Sequence, residues 1–424
     1  MRLSALLFCL LLPLPAATYA IENVSVLPMD RERVLDQQTV LVKDNRIVEI
    51  GGAGRVKVPA DATRIDGKGK FLIPGIAEMH GHLLPAQASA QEVDDVLFLY
   101  LANGVTLVRV MLGGPHSVTL RDEVASGKRL GPTLIVAGPA LSGQSAPDPE
   151  TAMRMVREQK QGGFNHIKVQ EGLKRDTYDA LAKTAKENSI PFAGHIPADV
   201  GVWHAVESGQ STIDHLDDYV EAIEKKEQNI PKLVSTLKKA NVYSVPTMAL
   251  WETFWLVQPM DQLRSRSELQ YMPAALVNNW AASIEKRRST FQPEEGKELI
   301  ALRNKILKAL SDGGAPIIFG TDSPQLFSVP GFSIHREMDA MKRAGLTNYQ
   351  ILASATRSPA EYYKTRDFGT VAPGRRADLL LLDANPLQDL ANTQKVAGVM
   401  VRGQWIPKEQ IQTKLADMAK RNAR

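Results

Sequence analysis

Phe71-Leu-Ile-Pro74-Gly-Ile-Ala-Glu78-Met-His80-Gly-His82 is an apolar run that ends in two histidines two positions apart. A run this short, punctuated by Pro74 and Gly75, reads as a buried strand, not a helix. Side chains alternate along a strand, so His80 and His82 leave its end on the same side. Seven further apolar runs follow: Thr106 to Val110, Thr133 to Gly138, Asn165 to Val169, Pro191 to His195, Ser211 to His215, Val242 to Pro246 and Pro316 to Thr321. Helical patterns separate them, with start signals such as Asp148-Pro149 and Asp176-Thr177. Eight alternations of this kind predict an α/β fold, a TIM-like (β/α)8 barrel whose active site lies at the C-terminal strand edge.

Outside the alternation, Val40 to Gly67 has the pattern of β-hairpins, with a turn at Asp44-Asn45. The same texture returns in Ala377 to Asp383 and Val399 to Trp405, which predicts a small β-sandwich built from both chain ends. The expected division is a signal peptide over 1–20 and sandwich over 21–72, then the barrel over 73–364, with a second sandwich portion over 365–410 and a C-terminal tail over 411–424. One connection breaks the rhythm. The stretch from Trp251 to Asp312 is long, helical and rich in aromatics (Trp251, Phe254, Trp255, Tyr271, Trp280, Phe291), and it fits either a helical pair packed outside the barrel or a cover over the substrate.

The leader Met1-Arg2-Leu3-Ser4, the apolar run Ala5 to Leu12 and the small-residue end Thr18-Tyr19-Ala20 predict cleavage after Ala20 and an exported, periplasmic or secreted protein. The only cysteine, Cys9, lies in that leader, so the mature chain is expected to hold no disulfide. A formal net charge of +4 over 424 residues is too even to imply nucleic acid or a membrane surface as partner. Oligomeric state, including a homo-oligomer, stays open.

Four of the eight histidines, His80, His82, His195 and His215, fall at strand ends, and Asp322 follows the last strand. One barrel histidine is more often a core residue than a ligand, but four imidazoles and a carboxylate converging on one rim make a nitrogen and oxygen site suited to zinc or manganese. Lys168, inside the fourth strand, is out of place beside cations as an ammonium. Desolvation would lower its pKa, and the amine could then add carbon dioxide to give a carbamate that bridges two metals.

With Lys168, Gly194-His195, Asp214-His215-Leu216 and Thr321-Asp322 following in order, the Pro74 to His82 segment resembles the first-strand signature of the amidohydrolase superfamily, in its carboxylated-lysine, two-metal branch. The tail from Gly369 to Leu379 resembles the return of such enzymes to their sandwich, and the texture is similar to imidazolonepropionase-related and prolidase-like members. Glu78 stands where many relatives carry Asp. The resemblance implies two divalent ions, zinc by preference: one on His80, His82, Lys168 and Asp322, the other on His195, His215 and the same Lys168 carbamate. It implies attack by a metal-activated hydroxide on a small-molecule amide, with Asp322 as general base and then acid. The expected substrate is a dipeptide, Xaa-Pro or N-acyl amino acid type, with lactones as side substrates.

Among the remaining candidates, Arg109 suits a substrate carboxylate or a buried ion pair with Glu78, and His116 sits on a rim loop. His335 opens the helix after the last strand and could approach the site, while His166 and His204 read as structural. A single-metal deaminase is the first rival, but the stretch Gly194 to Asp199 lacks the HxxE arrangement expected of one. A cyclic-amide hydrolase of imidazolonepropionase type and a lactonase are further alternatives. A binding protein that has lost catalysis would lack ligands, and none is missing.

Overall fold

The computed structural model describes residues 17–224, 226–289, 291 and 293–423. Five strands open the chain: β1 (Thr18–Val26), β2 (Leu35–Lys43), β3 (Arg46–Gly52), β4 (Thr63–Asp66) and β5 (Phe71–Pro74). The hairpin between β2 and β3 turns at Asp44, whose φ of 55° is the left-handed conformation such turns need. Most of the leader lies outside the described residues, but Thr18, Tyr19 and Ala20 belong to β1 and pair with Lys43, Val42 and Leu41. A cut after Ala20 would therefore remove paired strand, including the fully buried Ala20.

The sheet runs β15-β14-β13-β5-β1-β2-β3, with β4 also on β1; its last members are β13 (Leu379–Leu382), β14 (Val396–Val401) and β15 (Gln404–Pro407). Both chain ends thus share one sheet, and alternate residues such as Ile21, Val24, Val40, Leu72, Leu379 and Met400 share one buried cluster. The C-terminal residues are not a loose tail: Lys408–Asn422 is a helix that buries Ile411 and Met418.

The Phe71 to His80 run, read as one strand, divides. Gly75 separates β5, which pairs with β13 in the sandwich sheet, from β6 (Ile76–Gly81), which pairs with β7 (Val105–Val110) in the barrel. Next come β8 (Thr133–Val136), β9 (Ile167–Val169), β10 (Phe192–Gly194), β11 (Thr212–Asp214) and β12 (Tyr243–Val245), all in parallel pairs within arcs β6-β7-β8 and β9-β10-β11-β12. Isolated bridges, not full ladders, join the arcs: Ala137 to His166 and Leu141 to Val169 on one side, Ser244 to Ile317 and Gly81 to Ser323 on the other. The Pro316 to Thr321 run is thus the eighth barrel position without a regular strand of its own. Every residue of β6 and β7 is buried, as expected for strands covered on both faces.

Asp148 caps the helix Pro149–Gln161 by accepting the Thr151 amide at 2.8 Å, as its sequence position predicts. The 251–312 stretch forms the helices Met260–Arg264, Ala274–Arg288 and Pro293–Gly313, preceded by Met248–Phe254. The two long helices pack against that first one, with Arg287 over Phe254 and Arg303 over Trp251.

Candidate metal centre

The strand ends bring His80, His82, Lys168, His195, His215 and Asp322 to one cavity of about 490 Å³. Ring centroids of His80 and His82 lie 5.5 Å apart, those of His80 and His215 4.8 Å, and those of His195 and His215 4.7 Å. Asp322 sits among them: its carboxylate is 2.6 Å from His82 Nε2, 3.5 Å from His80 Nε2 and 3.6 Å from His215 Nε2. His80, His82 and Asp322 each offer one ligand atom, all within 4.8 Å of one another, so this trio can hold a metal ion.

Local backbone explains how the side chains converge. His215 (φ 71°), Thr247 (φ 46°) and Asp322 (φ 61°) are non-glycine residues in the left-handed region, a conformation of the kind that clusters at functional sites. Two glycines allow close passage. A Cβ on Gly320 would come within 2.9 Å of the His80 backbone nitrogen, and one on Gly194, which has φ 127°, would press 2.4 Å from the Val169 carbonyl and 2.9 Å from Lys168 Cδ.

Three of the four imidazoles, His80, His195 and His215, are held toward the neutral form that metal ligation requires. Burial, helped by the neighbouring Lys168 charge, lowers His80 to about 4 and His195 to about 3. Burial, and the repulsion a second charged ring would meet from His195 and His80, put His215 well below its ordinary range. Burial also lowers Lys168, against the opposing pull of Asp214 and Asp322. For Asp322 burial would raise the pKa, but the surrounding imidazoles, His80 first, hold it far below the usual carboxylate range.

Beneath the six residues lies a buried layer, of which the sequence predicts only an Arg109 ion pair, with Glu78 and not Asp214 as its partner. Asp214 faces His80 Nδ1 at 3.1 Å and Lys168 Nζ at 4.0 Å, while Arg109 donates to its carboxylate at 3.2 and 3.4 Å. Arg109 also donates to the Met79 carbonyl at 2.5 Å and to Thr212 at 3.2 Å. It therefore neither lines the cavity nor pairs with Glu78. Glu78 instead accepts the amides of His80 (3.0 Å) and Thr321 (2.8 Å) and the Thr321 hydroxyl (2.7 Å), tying the two ligand-bearing strand ends together; burial raises its pKa to about 7. The signal for this layer was the polar side chains inside apolar strands, which show that partners are needed without showing which.

Two other expectations fail on position. His116 lines a neighbouring apolar groove with Leu83, Leu84 and Val93, because Pro115 starts its helix and carries the ring away from the ligand cluster. His335 is bonded to Thr393 (3.0 Å) and Asn103 (3.1 Å) on the outer side of its helix. His166 is a core residue, 3.3 Å from the Met111 sulfur. His204 bonds Asp179 at 2.5 Å away from the site.

Among curated proteins the chain is 23% identical over 376 residues to the enamidase of Eubacterium barkeri, covering 84% of each chain. Among solved structures it resembles a bottromycin amidohydrolase, with TM-score 0.76 and 21% identity over 96% of this chain and 90% of that one. It also resembles a Xaa-Pro dipeptidase with methionine bound in its active site, with TM-score 0.70 and 19% identity over 92% and 100% of the respective chains. At these identities the structural matches speak for the fold, a TIM-like barrel joined to a β-sandwich. The amidohydrolase family model matches residues 71–406, from β5 of the sandwich through the barrel to β15, and on that extent the chain belongs to the amidohydrolase family and is a hydrolase of carbon–nitrogen bonds.

Proposed function

We propose that this chain cleaves an amide or peptide-like bond with two divalent cations, zinc by donor type, and a carboxylated Lys168 between them. The observation that carries the reading is Lys168 itself. Its Nζ is buried without a hydrogen-bond partner, 4.0 Å from Asp214, at the cavity lined by the four imidazoles. A buried amine in that position is poorly satisfied as it stands. Addition of carbon dioxide to the neutral amine forms a nitrogen–carbon bond, releases one proton and converts the group into a two-oxygen anion.

His80, His82 and Asp322 would hold one cation, His195 and His215 the other, and the Lys168 carbamate both. Such ions, when bound, acidify water to a nucleophile near neutral pH and polarise a carbonyl. The protein's part is positioning and proton transfer. Asp322 Oδ1 takes the proton of the attacking water and delivers it to the leaving nitrogen, so that the carbon–nitrogen bond breaks with a neutral amine as product. His215 is fixed for its role by a 2.6 Å bond from Nδ1 to Thr247 Oγ1, which leaves Nε2 facing the cluster. Peptide-like and N-acyl substrates fit the family, and the names of the prolidase-like and amidohydrolase neighbours support that choice. Export through the leader is part of this proposal.

Elemental analysis of the metal-loaded protein should find close to two divalent ions per chain, whereas one ion at full activity would favour a deaminase. Lys168→Ala should lose turnover and at least one ion, and acetate or propionate should restore part of the rate in that variant but not in Asp322→Asn. Retention of both ions and near-normal turnover in Lys168→Ala would overturn the bridging role.

A further inference from the structure

The cavity divides by chemistry. Its floor is the ligand cluster, and its outer wall is Leu112, Leu250, Trp251, Phe254 and Leu326. Leu112, 51% exposed, stands at the mouth. The other polar side chains of the wall, Ser142, Gln170 and Gln325, are neutral. Among the described residues no arginine lines the cavity, and its one lysine is Lys168. Arg109 is committed to Asp214, and Arg303 and Arg287, which lie against the Trp251 and Phe254 rings, are not among the residues that line the cavity. A substrate carboxylate held against this wall, away from the ligand cluster, would lose its water without a cationic side chain lining the wall to meet it, whereas a neutral amide could be met by the glutamines.

We propose that the substrate carries an uncharged aromatic group beside the scissile bond and no free carboxylate, and that Trp251 selects it. This rests on the hydrolase reading above and narrows it to carboxy-blocked amides.

Trp251 is held in place before any substrate arrives. Its ring meets His215 edge-on at 5.6 Å and 71°, Phe254 at 4.6 Å and 74°, and stacks with Trp255 at 5.8 Å. The Arg303 guanidinium lies 4.7 Å from the ring centroid. The helix that carries Trp251 begins one residue after Thr247, the partner of His215, and its first amides, Met248 and Ala249, donate to Glu337 at 2.9 and 2.8 Å. The aromatic wall and the metal-facing histidine are thus fixed to one helix start, so a flat apolar group packed on Trp251 costs little side-chain ordering. A cavity of about 490 Å³ has room for such a group beyond the bond being cut.

The test compares three compounds on the metal-loaded full chain: N-benzoylphenylalanine methylamide, the matching free acid N-benzoylphenylalanine, and N-acetylglycine methylamide. The aromatic neutral amide should exceed its free acid in kcat/KM by about tenfold or more, and likewise the small amide. Trp251→Leu, with metal content unchanged, should lower the aromatic-to-small ratio by about tenfold, mostly through KM. A free acid turned over as well as its amide would overturn this inference while leaving the hydrolase reading intact. An unchanged ratio in Trp251→Leu would overturn the role of Trp251. No turnover of any of the three with cations bound would overturn the amide reading itself.

Discussion

Asp214→Asn should destabilise the protein far more than a one-atom change suggests. The Arg109 and Asp214 side chains are 1% and 0% exposed, so neither charge can recover hydration when its partner is lost. Asparagine preserves shape and one acceptor, and Thr212 can still donate to it, but the guanidinium is left as an uncompensated buried charge. Breaking a buried pair from one side costs about 3–5 kcal/mol, a large part of the roughly 5–15 kcal/mol that holds a typical protein folded. Urea unfolding followed through the five tryptophans should show the loss as a lowered midpoint with little change in slope. Arg109→Met added to Asp214→Asn removes the stranded charge and should recover most of the midpoint. Activity should remain low in the double variant, because the Asp214 carboxylate also faces His80 and Lys168. A single variant within about 1 kcal/mol of the parent, or a double variant no better than the single, would refute the reasoning.

Asp322→Asn should fold normally yet lose about 100- to 10,000-fold in kcat, the usual worth of a general base, as steady-state kinetics would show. Glu78→Ala leaves the buried amides of His80 and Thr321 without their acceptor, and should cost about 1–3 kcal/mol in urea stability. Burial raises Glu337 from an ordinary 4.5 to about 8, so the folded state keeps a proton that the unfolded chain has released. Its contribution to stability is therefore present below pH 4.5 and declines as pH rises through about 8. Urea midpoints between pH 5 and 8.5 should fall less steeply in Glu337→Gln, and an unaltered slope would exclude Glu337 as a source.

The parts of the site legible in the sequence were those set by local geometry. His80 and His82 share a side because strands alternate, and His195, His215 and Asp322 sit where apolar runs stop, which in a parallel barrel is one rim. What stayed hidden was pairing across the barrel. Arg109 and Asp214 are 105 positions apart, and Glu78 and Thr321 are 243 apart; spacing along a chain carries no record of which buried charges will meet. The bend at Gly75 was missed for another reason: an apolar strand reads alike whether it stays in one sheet or passes into a second. The insertion was left open between packing and cover; the helix that leads into it lines the cavity through Trp251 and Phe254, and the sequence showed these aromatics but not the direction they face.

Because β5 runs into β6 with only Gly75 between, the sandwich has no linker on its way to the metal-facing strand. Pro74 pairs with Leu379 in one sheet and Ile76 with Val105 in the other, and His80 lies four residues further on. Recombination could exchange the rim loops, or lengthen the helical stretch after β12, without disturbing this joint. A new amino-terminal domain could be grafted only by matching the strand residue for residue. Diversification of such a chain is therefore expected at the mouth of the barrel, while the two sheets descend together as one heritable unit.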